Sequence, residues 1–349
     1  MIIYKNIFEK IISPENLFLA WDNFKNGKQK KNDVQEFEWE LEQNIFQLHR
    51  ELRRRTYRHH NYSSFYISDP KQRHIHKAEV RDRILHHAIF TVVNPIFEET
   101  FIANSFSCRI GKGTHKGIVA LEKTIRKESK NYSKRCYILK CDISKFFGTV
   151  DHEILTSILR KRIKDENARW LLGEVIDSFS SNQSDIFKPK GLPIGNLTSQ
   201  LFANVYLNEL DQFIKNELKI KHYARYTDDF VIVSDSEIQL QEILQPISVF
   251  LKEKLALDLH PKKVVIKKYS QGIDFLGYIS FPHRRLVRTK TKRRIFKKLK
   301  KRVAEYKAEA IDRHSLNQSI QSYLGVLSHA NAYKFSQKIL NNFWFWLSN

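Results

Sequence analysis

Two adjacent carboxylates, Asp228 and Asp229, are the residues of this chain best suited to chemistry. They follow Tyr226-Thr227, and the stretches on either side are rich in aromatic and β-branched residues. The segment 226–229 is therefore predicted to be the tight turn of a β-hairpin. Adjacent acids repel each other, and a hairpin that confines them is typical of a divalent-cation site. An Asp-rich surface turn is the alternative for this segment taken alone.

Asp142 is a third candidate acid. It ends the apolar run 137–142, which predicts a short buried strand, and a carboxylate there is costly without a partner. If this strand neighbours the 222–234 hairpin in one sheet, three carboxylates converge at its edge. That arrangement suits two Mg²⁺ ions roughly 3.5–4 Å apart, one activating a 3′-hydroxyl and one neutralising a leaving pyrophosphate. Carboxylate ligands favour Mg²⁺ over zinc, with Mn²⁺ as a second candidate.

The charge of the chain predicts a polyanionic partner. Its 349 residues carry a formal net charge of +22, which indicates nucleic acid first and an anionic membrane second. No apolar run reaches the ~18 residues that span a bilayer, and we expect no secretory signal. The three cysteines lack C-x-x-C spacing, which disfavours structural zinc and disulfides and favours a reducing cytosol. None of the 14 histidines has a Cys or acid at zinc spacing, so we expect surface or nucleic-acid contacts.

The elements that must position the acids are predicted to mix helices with short strands. The predicted elements are helices over 1–60, strands over 62–75 with a turn at Asp69-Pro70, a strand over 138–143, a helix after the loop 191–195, the hairpin 222–234, a helix over 237–255, strands at 264–266 and 275–278, and a basic helix from Arg288. Residues 288–302 hold ten Lys or Arg, with Ile295, Leu299 and Val303 along one face. This pattern predicts a helix laid along a duplex, with a membrane-surface or nuclear-localisation segment as the alternative.

Three motifs, in this order and spacing, resemble those of reverse transcriptases. Asp142 with Phe147 resembles the first palm motif, D-x-x-x-x-F, and the segment 226–229 resembles Y-x-D-D. The loop 191–195 with Ser199-Gln200 stands where the family has L-P-Q-G followed by S-P. The resemblance extends roughly over residues 50 to 335.

The resemblance implies an α+β fold of the right-hand polymerase type. Such a fold has fingers, a palm built on an antiparallel sheet, and a helical thumb. Here it implies a helical N-terminal extension over 1–60, fingers and palm over 61–280, and the thumb over 281–349. The implied activity is RNA-directed DNA polymerisation with two Mg²⁺ ions and dNTP substrates.

The resemblance also implies residues that contact the incoming nucleotide. Phe147 stands at the steric-gate position, where a flat ring clashes with a 2′-hydroxyl and favours dNTPs; core packing is the alternative. Lys71 and Arg73 stand at the interval of the family's triphosphate contacts, and arginine pairs with phosphate bidentately. A solvated surface is the alternative for any single basic residue. The other residues implied at the nucleotide site are Arg109, Ile194, Gly195 and Gln200.

Two further motifs are implied at the reaction centre. Lys263 matches a family motif from which a lysine would protonate the leaving pyrophosphate, and Lys262 is the alternative because it is adjacent. The stretch 275–278 matches the hairpin that grips the primer, and its glycine would let the primer backbone approach closely. The residues of this hairpin are Phe275, Leu276, Gly277 and Tyr278.

The loop at 192–200 indicates which subgroup of reverse transcriptases the chain resembles. Retroviral, retron and group II intron enzymes usually have Gln where this chain has Ile194, and Pro where it has Gln200. The stretch 192–200 resembles the reverse transcriptases of diversity-generating retroelements, which copy a template-repeat RNA into cDNA with errors opposite adenine. This resemblance implies template RNA and a cDNA–RNA duplex as partners, together with a small basic oligomeric accessory protein. It also implies a cytoplasmic, bacterial or phage-encoded setting without membrane attachment.

Two alternatives stay open. One is another bacterial reverse transcriptase, of the antiphage-defence, retron or group II intron type; we expect no maturase or endonuclease domain after the thumb, which disfavours the intron type. The other is a catalytically silent RNA-binding protein on a palm scaffold. The intact acids Asp142, Asp228 and Asp229 argue against a silent protein.

Overall fold

The described part of the chain contains helices and antiparallel strands in alternation along most of its length. The structure is a computed structural model that describes residues 2–68, 71–181 and 189–348. The helices are α1 (Phe8–Ile12), α2 (Pro14–Lys25), α3 (Asn32–Trp39), α4 (Leu41–Arg53), α5 (Val80–Glu98), α6 (Thr114–Glu128), α7 (Phe146–Thr149), α8 (His152–Arg162), α9 (Glu166–Asp177), α10 (Leu197–Gln212), α11 (Glu237–Glu242), α12 (Leu244–Leu255), α13 (Thr289–Lys307), α14 (Arg313–Ser328) and α15 (Tyr333–Ser348). The strands are β1 (Ser63–Ile67), β2 (Arg73–Lys77), β3 (Tyr137–Asp142), β4 (Tyr223–Tyr226), β5 (Asp229–Ser234), β6 (Val265–Lys268), β7 (Ile273–Phe275), β8 (Tyr278–Phe281) and β9 (Arg284–Val287). The turn predicted at Asp69-Pro70 lies outside the described residues.

A four-stranded antiparallel sheet in the order β4-β5-β3-β6 occupies the middle of the molecule. Successive side chains of a strand point to opposite faces, and β3 uses both of them. Leu139 and Cys141 join a core with helices α1 to α5 and α7 to α12, whereas Ile138 joins a second core on the other face. This mixture of helices with an antiparallel sheet confirms the predicted α+β class.

The first core ties the N-terminal helices to α5. Ser13 separates α1 from α2: its hydroxyl accepts the backbone N–H of Asn16, and Pro14 occupies the first helical turn. Both are favoured at a helix start, because the cap satisfies a free N–H and proline has none to satisfy. Trp21 and Phe24 of α2 are buried in the core that also holds much of α5. The N-terminal helices are thus part of the main core.

The second core joins α6, the three-stranded sheet β7-β8-β9 and helices α13 to α15. Ile295, Leu299 and Val303 are all buried, which confirms the predicted apolar face of the basic helix. Tyr278 of β8 donates its hydroxyl to the carbonyl of Val326 on α14, at 3.0 Å. Glu122 of α6 accepts hydrogen bonds from Ser280 and Arg285, and so joins this sheet to α6. Among the described residues, no helix combines the length and apolar content needed to span a membrane.

The packing of α13 makes a prediction about stability. We expect Leu299→Ala to lower the free energy of unfolding by about 2–5 kcal/mol, because it removes a fully buried side chain and leaves a cavity. Urea denaturation followed by circular dichroism would measure the change. Lys300→Ala is the matched control on the exposed face, with an expected effect within about 0.5 kcal/mol. Equal effects of the two variants would contradict the packing described for α13.

Candidate active site

Three carboxylates lie where β3 ends and β5 begins. Asp142 lies directly opposite Asp229 in the antiparallel register of these strands. Asp228 lies in the turn between β4 and β5, and its carbonyl accepts the N–H of Ile143 at 3.0 Å. Directly opposed residues of antiparallel strands have their Cβ atoms about 4.5–5.5 Å apart. The sequence prediction that these strands neighbour each other is therefore confirmed.

The turn that carries Asp228 is held in an uncommon backbone conformation. Thr227 has a φ of +53°, in the left-handed region that β-branched residues seldom adopt. Its hydroxyl donates to the Ser107 hydroxyl at 2.5 Å, and its carbonyl accepts from the Arg225 guanidinium at 3.2 Å. These two contacts offset the strain, and they fix the direction in which Asp228 leaves the turn.

A buried ion pair lies beneath this turn. Arg225 and Asp211 are both fully buried, and the guanidinium donates Nε and Nη2 to the two carboxylate oxygens at 2.7 and 2.6 Å. The Tyr223 hydroxyl donates to the same carboxylate at 2.7 Å. Sequence reasoning missed this group, although a charged residue within an apolar strand, 14 positions after an acid on an apolar helix, was a usable signal.

The three acids are electrostatically crowded. The pKa of Asp229 is raised to about 6, chiefly by burial; Lys140 opposes the rise, and the Asp142 and Asp228 carboxylates add to it. Burial also raises the pKa of Asp228, with the Asp142 carboxylate adding to the rise and Lys263 and Arg73 opposing it. A bound cation would relieve this crowding, because it favours the charged form of every carboxylate.

The acids pass a test for a divalent-cation site. Oδ1 of Asp229 is buried and has no hydrogen-bond partner among the described residues. A buried carboxylate oxygen without a partner is costly, and a hard cation is the partner that oxygen ligands suit best. Asp142, Asp228 and Asp229 therefore fit divalent metal ions in number and in ligand chemistry.

Lys263 reaches the acids, as the sequence led us to expect. Its Nζ donates to Oδ1 of Asp142 at 2.7 Å. Its neighbour Lys262 is exposed, and its backbone N–H is bonded to the ring of His260. Of the two adjacent lysines, Lys263 is the one whose ammonium contacts the site.

The predicted sugar gate and the 191–195 loop are tied together by backbone hydrogen bonds. The carbonyl of Phe147, in α7, accepts the N–H of Leu192 at 2.6 Å, and the carbonyl of Ile194 accepts the N–H of His76 on β2 at 3.0 Å. Gly195 has a φ of +125°, and a Cβ there would lie 3.1 Å from Cγ2 of Ile75. The loop therefore needs glycine at this position to pack against β2.

The other residues predicted to contact the nucleotide differ in their exposure and in the hydrogen bonds that they already make. Arg73 on β2 is exposed and lies near enough to Asp228 to affect its pKa, while Lys71 and Gln200 are exposed. Arg109 is turned inward: its guanidinium donates to both Glu98 oxygens and to two backbone carbonyls. A contact between Arg109 and a nucleotide would require these bonds to break.

The stretch 275–278 forms the predicted hairpin. Leu276 and Gly277 have φ values of +50° and +93°, so both central residues are left-handed, as a two-residue turn between twisted strands requires. Phe275 and Tyr278 are buried and anchor the two strands. Apart from its chain neighbours, no atom of the described residues lies within 4 Å of the position that a Cβ on Gly277 would take, so the tip is open on that side. Contact of this hairpin with a primer remains a prediction.

A second group of possible ligands lies apart from the acids. His60, Glu79 and Asp82 bring ligand atoms within 4.8 Å of one another, a grouping that the sequence spacing of the histidines did not predict. His60 is exposed, in agreement with the expected surface position. Hydrogen bonds already use these atoms: His60 bonds Glu79 at 2.6 Å, and Asp82 accepts from Tyr57 and from the His60 N–H. We assign no metal to this group. His86, expected at the surface, is buried.

The buried ion pair predicts a large stability effect. We expect Asp211→Asn to lower the free energy of unfolding by about 3–5 kcal/mol, because it leaves the Arg225 guanidinium buried without a counter-charge. Urea denaturation would measure it. Glu209→Gln on the same helix is the control, since its pair with Lys161 is exposed and worth about 0–1 kcal/mol. A loss below 1 kcal/mol for Asp211→Asn would contradict the role given to the pair.

The proteins similar to this chain include two curated proteins and one solved structure. Protein YkfC of Escherichia coli K12 is 28% identical over 247 residues, which cover 60% of this chain and 64% of that protein. The group II intron-encoded protein LtrA of Lactococcus lactis subsp. cremoris is 23% identical over 345 residues, covering 79% of this chain and 56% of that protein. Apo telomerase from Candida tropicalis matches with a TM-score of 0.48 and 13% identity, over 65% of this chain and 55% of that one. The chain thus spans about three-fifths of the length of these curated relatives.

A family model agrees with the site. The model described as reverse transcriptase (RNA-dependent DNA polymerase) matches residues 68–280, more than half of the chain. The matched stretch contains all three carboxylates, the 191–195 loop and the β7–β8 hairpin. It also agrees with the right-hand polymerase fold expected from the motifs. The chain therefore belongs to the reverse transcriptase family of RNA-directed DNA polymerases.

Proposed function

We propose that the protein copies a template-repeat RNA into adenine-mutagenised cDNA for targeted gene diversification. The observation that carries the polymerase activity is the meeting of Asp142, Asp228 and Asp229 around an unpartnered carboxylate oxygen. The observation that carries the error-prone subtype is the apolar Ile194, where related enzymes usually have Gln.

Each residue of the site has a distinct part in the proposed reaction. Asp142, Asp228 and Asp229 would hold Mg²⁺, which supplies charge neutralisation and activates the primer hydroxyl when bound. Lys263, already bonded to Asp142, is positioned to give a proton to the leaving pyrophosphate. Phe147 would exclude a 2′-hydroxyl, and Arg73 would pair with the triphosphate.

The charge of the chain supports nucleic-acid partners. Helix α13 buries an apolar stripe and leaves its many lysines and arginines toward solvent, which suits the phosphates of a cDNA–RNA duplex. The β7–β8 hairpin would hold the primer end, with its open tip at Gly277. A small basic oligomeric accessory protein and a cytoplasmic, bacterial or phage-encoded setting complete the proposal.

The Ile194 loop supports loose fidelity on physical grounds. Its carbonyl is bonded to β2, so the loop backbone has a fixed place beside Phe147. A Gln side chain there could hydrogen-bond near the forming base pair and sense its geometry, whereas Ile offers only packing. Each ~1.4 kcal/mol of lost discrimination is worth a factor of ten in error. One such contact accounts for lower fidelity, but not by itself for selectivity at adenine.

A second candidate function is that of a group II intron-type enzyme. The similarity to the intron-encoded protein LtrA favours it. The two candidates differ in the product that they make on an adenine-rich RNA. Sequencing of that cDNA would decide: errors concentrated opposite adenine favour the diversity-generating role, and few, evenly spread errors favour the intron type.

The proposed metal site predicts that DNA synthesis depends strongly on the Asp228 carboxylate. We expect Asp228→Asn to slow Mg²⁺-dependent primer extension on RNA by at least roughly 100-fold, because loss of a direct ligand exceeds the 10- to 100-fold cost of losing a second-shell partner. Asp235 is an exposed acid that directly follows β5, and Asp235→Asn is the matched control that should keep wild-type rates. A protein that extends no primer in any form would be a silent binder.

The proposed role of Ile194 predicts that a substitution at this position changes the error rate on the same template RNA. We expect Ile194→Gln to lower misincorporation opposite adenine by about ten-fold, as one regained hydrogen bond allows. Sequencing of cDNA made on an adenine-rich RNA would measure it. Ile194→Val is the control, because it keeps an apolar side chain and should keep the error pattern. Unchanged misincorporation in Ile194→Gln would sink the fidelity argument.

A further inference from the structure

Lys140 is a charged residue of the palm sheet that the proposed reaction does not use. It lies on β3 two positions before Asp142, so both side chains are on the same face of the strand. The side chain is only 19% exposed, although lysine is seldom buried without a partner. Its ammonium therefore needs partners, and two are present.

The two partners of Lys140 belong to different parts of the site. Its Nζ lies 3.3 Å from Oδ2 of Asp229, the oxygen next to the unpartnered Oδ1. The same Nζ donates to the backbone carbonyl of Asp274 at 2.9 Å. Asp274 is the middle residue of β7 and directly precedes Phe275, at the start of the hairpin expected to hold the primer.

The contact from Lys140 links two separate sheets. Asp229 belongs to the four-stranded sheet and Asp274 to the three-stranded sheet β7-β8-β9. The Asp274 carboxylate is itself paired with Arg288, just before α13, so β7 is held from both sides. Lys140 thus fixes the distance between a metal-binding carboxylate and the primer hairpin.

We propose that Lys140 is a positioning residue that holds Asp229 against the primer hairpin and limits the negative charge that Asp229 offers to metal. The inference rests on the proposed polymerase function. A primer end displaced by even about 1 Å from its metal costs up to 100-fold in rate, so a rigid link between the two has a direct kinetic value. The ammonium also competes with metal for the Asp229 carboxylate, because both are cations at the same group.

These two roles predict opposite changes for one substitution. Lys140→Met keeps the length of the side chain and removes its charge and both contacts. Loss of the competing charge should lower the Kd of the free protein for Mn²⁺ by roughly 30-fold, because a unit charge near 4 Å from a divalent ion in water is worth about twice the interaction of two unit charges. Loss of the link should slow primer extension by about ten-fold with the KM for dNTP within two-fold. Damage to the fold would instead weaken metal binding.

The experiment combines an Mn²⁺ titration of the protein without nucleic acid, followed by electron paramagnetic resonance, with primer-extension kinetics. Lys140→Arg should restore both quantities to near the wild-type values, because it keeps the charge and the donors. Lys267→Met, an exposed lysine on the neighbouring β6, is the matched control and should change neither.

Tighter Mn²⁺ binding with slower extension in Lys140→Met would support the proposal. Unchanged or weaker Mn²⁺ binding, or an unchanged extension rate, would overturn it. A wild-type protein that extends no primer would count against the polymerase function alone, since the titration of the free protein still decides whether Lys140 competes with metal.

Discussion

The site depends on one buried ion pair, between Arg225 and Asp211. Two full charges out of contact with water are tolerated only when they pair closely and their remaining donors are satisfied. Here Nη1 of the guanidinium, which the carboxylate does not use, donates a hydrogen bond to the carbonyl of Thr227, in the turn that presents Asp228. The pair therefore fixes the direction of the turn that presents Asp228. Helix α10, which carries Asp211, therefore supports that turn through Arg225.

The acids show the opposite electrostatic arrangement. Asp142, Asp228 and Asp229 are half-buried with too few cations around them, and burial raises the pKa of Asp228 and of Asp229. Lys140 and Lys263 offset part of this charge from two sides, and they leave one oxygen of Asp229 without a partner. A fold of net charge +22 thus keeps a small, incompletely neutralised acidic centre. Divalent cations are what such a centre lacks.

Local sequence patterns predicted many of the strands and helices around this site. The side-chain partners that tertiary packing brings together could not be predicted from the sequence. The apolar run before Asp142 and the β-rich flanks of Asp228 specified their strands, and the spacing of Ile295, Leu299 and Val303 specified the buried face of α13. These features depend on neighbours in the sequence. By contrast, the inward turn of Arg109 depends on which charge packing brings beside it. A lysine within a strand, such as Lys140, looks like any surface lysine until its tertiary partners are known.

The backbone bonds around the 191–195 loop bear on how such an enzyme can evolve. Arg73 lies on β2, β2 is bonded to Ile194, and Leu192 is bonded to Phe147, so the residues proposed to meet phosphate, base and sugar share one connected frame. The two bonds that make this frame join main-chain atoms, and they persist whichever side chain stands at position 194. If Ile194 sets the accuracy of copying, as proposed, that accuracy can change through one side chain while these main-chain bonds stay intact. Under the role proposed for Ile194, mutability would be a trait that a lineage can adjust while the main-chain frame around the nucleotide is kept.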